Sequence, residues 1–128
     1  MRSAELLSFG IDEPLSSRLA AWSQDRGLWY RTVQHESALR NLLAKGSRGI
    51  LLLRIGRDLA DELHLLRDVA DEFAEVKVIA FGDLDHPLLE GLAYDLGATA
   101  VLFPPRGVDE LFEMLTMMVA EPRTIEGR

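Results

Sequence analysis

The side chains able to do chemistry are few and scattered. His35, His64 and His86 lie in separate stretches without metal-ligand spacing, and the chain has no cysteine. A histidine–thiolate metal site and a thiol nucleophile are therefore both excluded. His64 falls within a helical pattern and reads as a surface residue. Ser16-Ser17 sits just inside another helix and reads as helix surface rather than as a nucleophile. The first loop, Phe9-Gly10-Ile11-Asp12-Glu13, offers one glycine before two acids. It matches neither G-x-G-x-x-G nor G-x-x-x-x-G-K-[ST], and it lacks the Ser/Thr/Gly-rich run that cradles a flavin phosphate. What remains is a small polar set: Asp12 and Glu13, Arg54, and Asp83. An arginine fork suits a carboxylate in bidentate geometry, so these residues offer an ion pair rather than a reaction.

The elements that position this set alternate regularly. Strands are expected at Leu6–Phe9, Leu28–Val33, Gly49–Ile55, Lys77–Phe81 and Thr99–Phe103. Ile50-Leu51-Leu52-Leu53 is apolar on successive residues, as in a strand buried on both faces of a parallel sheet. Pro14 suits a first helical position, and Leu15, Leu19 and Trp22 then form one buried stripe to about Gln24. A second helix covers Glu36–Ala44 and stops at Lys45-Gly46. Asp58 is expected to cap a third, with Leu59, Leu63, Leu66, Ala70 and Phe73 on its apolar face. A fourth runs from Pro87 to before Gly97, and a fifth spans Val108–Ala120. Alternating βα units with short loops predict an α/β fold: a doubly wound five-stranded parallel sheet of order 2-1-3-4-5 between two helical layers. In such a sheet the working residues lie at the carboxyl ends of the strands, so the loops after Phe9, Ile55, Phe81 and Phe103 converge on one crevice.

Composition narrows the role further. The chain is 128 residues long and 48% hydrophobic, with a net charge of −7. That is one soluble domain's worth of chain. The acidity speaks against nonspecific nucleic-acid binding, which draws affinity from Lys and Arg on phosphates. No apolar run approaches a membrane span, and the amino-terminal residues show no secretory pattern, so a cytoplasmic location is expected. The folded domain is expected over 1–121. Residues 122–128 read as a linker remnant ending in Ile125-Glu126-Gly127-Arg128, a protease-recognition sequence of the kind placed beside tags.

Several local sequences, in order, resemble a response-regulator receiver domain over 4–120. They are Asp12-Glu13-Pro14-Leu15 running into the first helix and Leu51-Leu52-Leu53 in the third strand. Asp61-Glu62-Leu63-His64-Leu65-Leu66-Arg67 resembles the family's third helix. Leu96-Gly97-Ala98 followed by Val101-Leu102-Phe103-Pro104-Pro105 resembles its fifth strand and following proline. The resemblance implies a flavodoxin-like fold and a role in two-component signalling. Receivers carry an acid pair for Mg²⁺, a phosphoacceptor Asp, a Thr or Ser and a Lys. Those positions fall here on Ile11 and Asp12 (with Glu13 adjacent), Arg54, Gly82 and Pro104, and the aromatic switch position falls on Val101. Phosphotransfer needs a carboxylate nucleophile, a metal to neutralise the phosphoryl group and a cation to hold the product. A degenerate pseudo-receiver is therefore expected, without enzyme activity, cofactor or metal.

Arg54 has two readings: its stem packs against the sheet and the guanidinium reaches solvent, or, as favoured here, it pairs with Asp12, Glu13 or Asp83. The function expected is docking or dimerisation with a protein partner or a second copy, and the alternative is a small-ligand sensor using the same crevice. With Val108, Leu111, Phe112, Leu115 and Val119 assigned to the core face of the fifth helix, Met114, Met117 and Met118 fall outside it and form the candidate interface. The resemblance points the same way, because the helix 4–strand 5–helix 5 face commonly dimerises in that family.

Overall fold

The computed structural model describes residues 5–46 and 49–126, the side chains of 120–126 excepted. In chain order the elements are β1 Glu5–Phe9, α1 Leu15–Asp25, β2 Trp29–Val33, α2 Glu36–Ala44 and β3 Ile50–Arg54. They continue with α3 Leu59–Glu72, β4 Lys77–Phe81, α4 Pro87–Asp95, β5 Ala100–Leu102 and α5 Val108–Glu126. The sheet order is β2-β1-β3-β4-β5 and every pairing is parallel. The topology is the expected one, and no strand end differs from expectation by more than one residue.

The apolar run of β3 explains the layering. Leu51 and Leu53 face one side of the sheet, where they pack with Leu39 and Leu43 of α2, Leu65, Leu66 and Val69 of α3, and Leu89 of α4. Ile50 and Leu52 face the other, against Leu19 of α1 and Leu111, Leu115 and Met118 of α5. A strand buried on both faces must be apolar at every position. β2, at the sheet edge, buries only Val33. Because β1 lies between β2 and β3, the chain reverses its winding there, and the β1 and β3 loops open onto one crevice.

Four local expectations need correction. The buried stripe of α3 is Leu65, Leu66 and Val69, with Glu62, while Leu59 is 40% exposed. The true stripe is rotated from the expected one because α3 packs by Leu65 and Val69, which the Leu59-centred pattern left out. Asp58 stands at the N-cap position but makes no side-chain cap bond. Glu62 instead reaches back to the preceding loop, accepting from the backbone N–H of Gly56 at 2.7 Å and of Arg57 at 3.3 Å. Ser16 is buried rather than on the surface, its Oγ 2.8 Å from the Tyr30 hydroxyl, which also meets Ser8 Oγ at 2.9 Å. Such a hydroxyl chain satisfies polar atoms that α1 covers; Ser17 is exposed, as expected. The backbone of α5 continues past Ala120 to Glu126, through Pro122. Gly127 and Arg128 of the tag-like sequence lie outside the described residues.

On one flank an ion-pair cluster ties α2 to α3. Arg40 Nη2 lies 2.7 Å from Glu36 and 2.9 Å from Asp68. The hydrogen bond from Arg40 holds the Asp68 carboxyl below its ordinary value. A depressed carboxylate contributes stability that is fully present above the unfolded pKa and lost as pH falls through the folded one. Arg40→Met should accordingly flatten the acid limb of the stability profile below about pH 4, as read by urea unfolding at a series of pH values. An unchanged acid limb would remove Asp68 from the account.

Candidate functional site

Four loops meet at the carboxyl ends of the strands. Arg54 is the last residue of β3, paired with Phe81 of β4, and a Cβ on Gly10 would stand 3.5 Å from its own Cβ. The β1 loop and the Arg54 stem are therefore in contact across the switch point. Arg54 Nη2 donates to Asp83 Oδ2 at 3.1 Å. Of the three acids considered, Asp83 is the partner. The contact runs through one nitrogen rather than the expected bidentate fork, and Arg54 Nε is buried without a partner.

Asp12 is taken by a different cation. Its Oδ2 accepts from Arg57 Nη2 of the β3–α3 loop. Glu13 turns away from the crevice and caps the start of α1, accepting from Ser17 N at 3.0 Å and Ser17 Oγ at 2.6 Å. Ile11 is buried in the α1–α5 core, 2% exposed. Gly82 is buried, and a Cβ there would stand 2.1 Å from the carbonyl oxygen of Ile55. Pro104 leads into Pro105 through a cis peptide bond and brings no cation. The next cation, Arg106, donates to Val101 O at 3.1 Å and reaches Glu90 at 3.5 Å, so it is held at α4.

The Arg54–Asp83 contact is largely solvated, since the Asp83 side chain is 83% exposed. Such pairs contribute about 0–1 kcal/mol. Arg54→Met, which keeps the apolar stem, should change the unfolding free energy by less than about 1 kcal/mol. Denaturant titration decides it, and a loss of several kcal/mol would show that the pair organises the loops.

The methionine surface is reduced to one residue. Met117 is 67% exposed, Met114 is part-buried against the core, and Met118 is buried at 8%. The core stripe of α5 is Leu111, Leu115 and Met118, spaced i, i+4, i+7, which places Met118 directly beneath the helix. Beside Met117, α5 and α1 share an aromatic contact. Trp22 and Phe112 lie 6.1 Å apart, with Arg18 over Phe112 and Arg26 over Trp22.

No protein-family model matches the chain, and no curated protein sequence matches it. Solved structures do. The signal receiver domain of a DNA-binding response regulator from Colwellia psychrerythraea superimposes with a TM-score of 0.78 at 14% identity, covering 91% of this chain and 98% of that one. A receiver domain of a Francisella response regulator gives 0.76 at 14% identity, covering 94% and 99%. A chain of the co-crystal structure of the Saccharomyces cerevisiae histidine phosphotransfer protein Ypd1 with the receiver domain of its downstream response regulator Ssk1 gives 0.73 at 11% identity, covering 91% and 88%. The fold is that of a response-regulator receiver domain.

Within the receiver fold, the described geometry does not suit Mg²⁺. Binding wants clustered oxygens from carboxylates, whereas the crevice presents Ile11, which is apolar, and an Asp12 already held by Arg57. Arg54 adds a second fixed positive charge. Among the described residues no group of three His, Asp or Glu side chains is arranged to hold a metal.

Arg57 and Glu62 were missed from sequence. Arg57 had a legible signal, because it follows Arg54 by three residues in a loop already assigned to the crevice. Glu62 had none, since its bond to the preceding loop fits no standard capping pattern.

Proposed function

We propose that this chain is a phosphorylation-independent receiver-fold module that acts through contacts with a protein partner. The observation that carries the reading is Arg54, a guanidinium bonded to Asp83 at the position where the receivers it resembles place the accepting carboxylate. Nitrogen of an arginine, protonated and delocalised, cannot attack phosphorus. The neighbouring groups agree: Asp12 is paired with Arg57, Gly82 has no space for a hydroxyl-bearing side chain, and Pro104 provides no cation. No catalysed reaction is assigned to the crevice.

A protein partner is the class of ligand that goes with the fold. One structural neighbour was solved together with a histidine phosphotransfer protein. The net charge of −7 disfavours nucleic acid as the direct ligand of this domain. No helix among the described residues is long and apolar enough to cross a membrane, and a cytoplasmic location fits a signalling role. The second reading, a small ligand held in the crevice, has in its favour the buried and unpartnered Nε of Arg54.

The test is beryllofluoride with Mg²⁺, followed by backbone amide NMR. The expected result is no saturable shift at Gly10, Asp12, Gly56 or Gly82. Saturable shifts confined to those loops would contradict the proposal.

A further inference from the structure

α3 and α4 approach closely near their carboxyl ends. A Cβ on Gly97, just after α4, would stand 2.3 Å from the Cβ of Ala70 on α3, so only glycine allows this approach. Towards their amino ends the two helices leave a groove of about 470 Å³. It is lined by Leu59 and Leu63 of α3, Leu84 of the β4–α4 loop, and Leu88, Leu89 and Leu92 of α4. Leu88 is 75% exposed and Leu92 is 42% exposed. Soluble surfaces seldom cluster so many large aliphatic side chains without a use for them.

This groove is distinct from the helix 4–strand 5–helix 5 face. Glu90 reaches Arg106 in the β5–α5 loop, which fixes the flank of α4 that looks towards α5. At 100° per residue Leu88 and Leu92 lie about 160° and 160° from Glu90 on either count, on the opposite flank, towards α3. The apolar exposure of α4 therefore faces away from α5.

The charge at the groove has one sign to offer. Asp85 lines it, and Asp95 follows Leu92 by one turn on the same flank of α4. Neither has an ion-pair partner among the described residues. The surrounding cations are engaged: Arg57 with Asp12, Arg54 with Asp83, Arg106 with Glu90, and Arg67 against the His64 ring. His86, at the groove edge, uses Nδ1 to accept from Leu88 N.

The geometry points to this groove as the docking site for an amphipathic helix of a partner protein. That helix presents aliphatic side chains at i, i+3, i+4 and i+7 to the leucines, and lysine or arginine to Asp85 and Asp95. The inference deepens the proposed function by naming the surface and the chemistry of the partner, and it rests on the protein-contact reading. It also gives docking a route to the crevice. Leu84 Cγ lies 3.5 Å from where a Cβ on Gly56 would stand, so Leu84 covers the β3–α3 loop and adjoins Asp83, the partner of Arg54.

The probe is a synthetic helical peptide with leucines at that spacing and lysines elsewhere, titrated into the full chain and followed by leucine methyl NMR. The expected result is saturable binding with shifts centred on Leu59, Leu63, Leu84, Leu88 and Leu92. Leu88→Gln with Leu92→Gln, both solvent-facing, should weaken binding roughly tenfold or more, since a few apolar anchors carry most of such an interface. Asp85→Asn with Asp95→Asn should weaken it several-fold. Absence of saturable binding, or binding indifferent to the leucine pair, overturns the proposal. Equal binding of a glutamate-for-lysine peptide overturns the basic partner. Concentration-dependent self-association abolished by the leucine pair assigns the groove to a second copy instead and likewise overturns it. Beryllofluoride shifts in the crevice would contradict the proposed function and leave these outcomes readable.

Discussion

Gly82→Thr, which places a hydroxyl at the carboxyl end of β4, should destabilise the fold by roughly 1–3 kcal/mol or more. A Cβ at Gly82 would meet the Ile55 carbonyl oxygen at 2.1 Å, its carbon at 3.2 Å and Phe103 Cε1 at 3.4 Å. The obstacle is backbone, so no rotamer change relieves it. Ile55 cannot easily withdraw, because its N–H donates to Phe81 O at 2.9 Å. Gly82 itself is tied to β5 by its N–H to Leu102 O at 3.3 Å. A fair control is Gly91→Ala. Gly91 lies within α4 and its added Cβ meets nothing within 4 Å, so this change should be neutral or stabilising by up to about 1 kcal/mol through helix propensity. Urea unfolding of the two variants beside the wild type makes the comparison. A Gly82→Thr protein within about half a kcal/mol of wild type would mean the β3 and β4 loops separate readily.

Glu62→Ala should cost about 2 kcal/mol or more. Glu62 is 8% exposed, and its two carboxylate oxygens accept from Gly56 N and Arg57 N. Hydrogen bonds to a charged acceptor contribute roughly 1.5–3 kcal/mol. The effect should also be local. These bonds hold the β3–α3 loop that places Arg57 on Asp12, so amide exchange at Gly56 and Arg57 should rise in the variant before global unfolding is reached. Glu62→Gln keeps one acceptor oxygen and should fall between the two. If Glu62→Ala melts like the wild type and the loop amides stay protected, the loop is held by something else.

The sheet was legible because its signals are redundant. The β3 run of four apolar residues, glycines and prolines at the turns, and helical stripes between strands each demanded the same topology. The stripe of α3 was less legible, since Leu59 and Leu63 satisfy the same periodicity as Leu65 and Val69. Only packing against β3 and β4 decides which set goes inside, and the losing set becomes the lining of the α3–α4 groove. Met118 was misplaced for the same reason, as a choice of Val108 and Val119 for the core rotated the helix away from its true stripe. At the crevice the arginine at the end of β3 was visible, and so was its pairing with an acid. Which acid pairs with which arginine depends on loop geometry: Asp83 reaches Arg54 from β4, while Asp12 is met by Arg57. The hydroxyls of Ser8, Ser16 and Tyr30 carried no sequence signal, because their meeting depends on the β1–β2 register.

Whether the crevice accepts a phosphoryl group is decided by intact-mass measurement after incubation with acetyl phosphate and Mg²⁺. With Arg54 bonded to Asp83 and Asp12 held by Arg57, one unmodified mass is expected at every time point. An acid-labile phosphate adduct approaching one per chain, mapped to an aspartate of the β1, β3 or β4 loop, would contradict it.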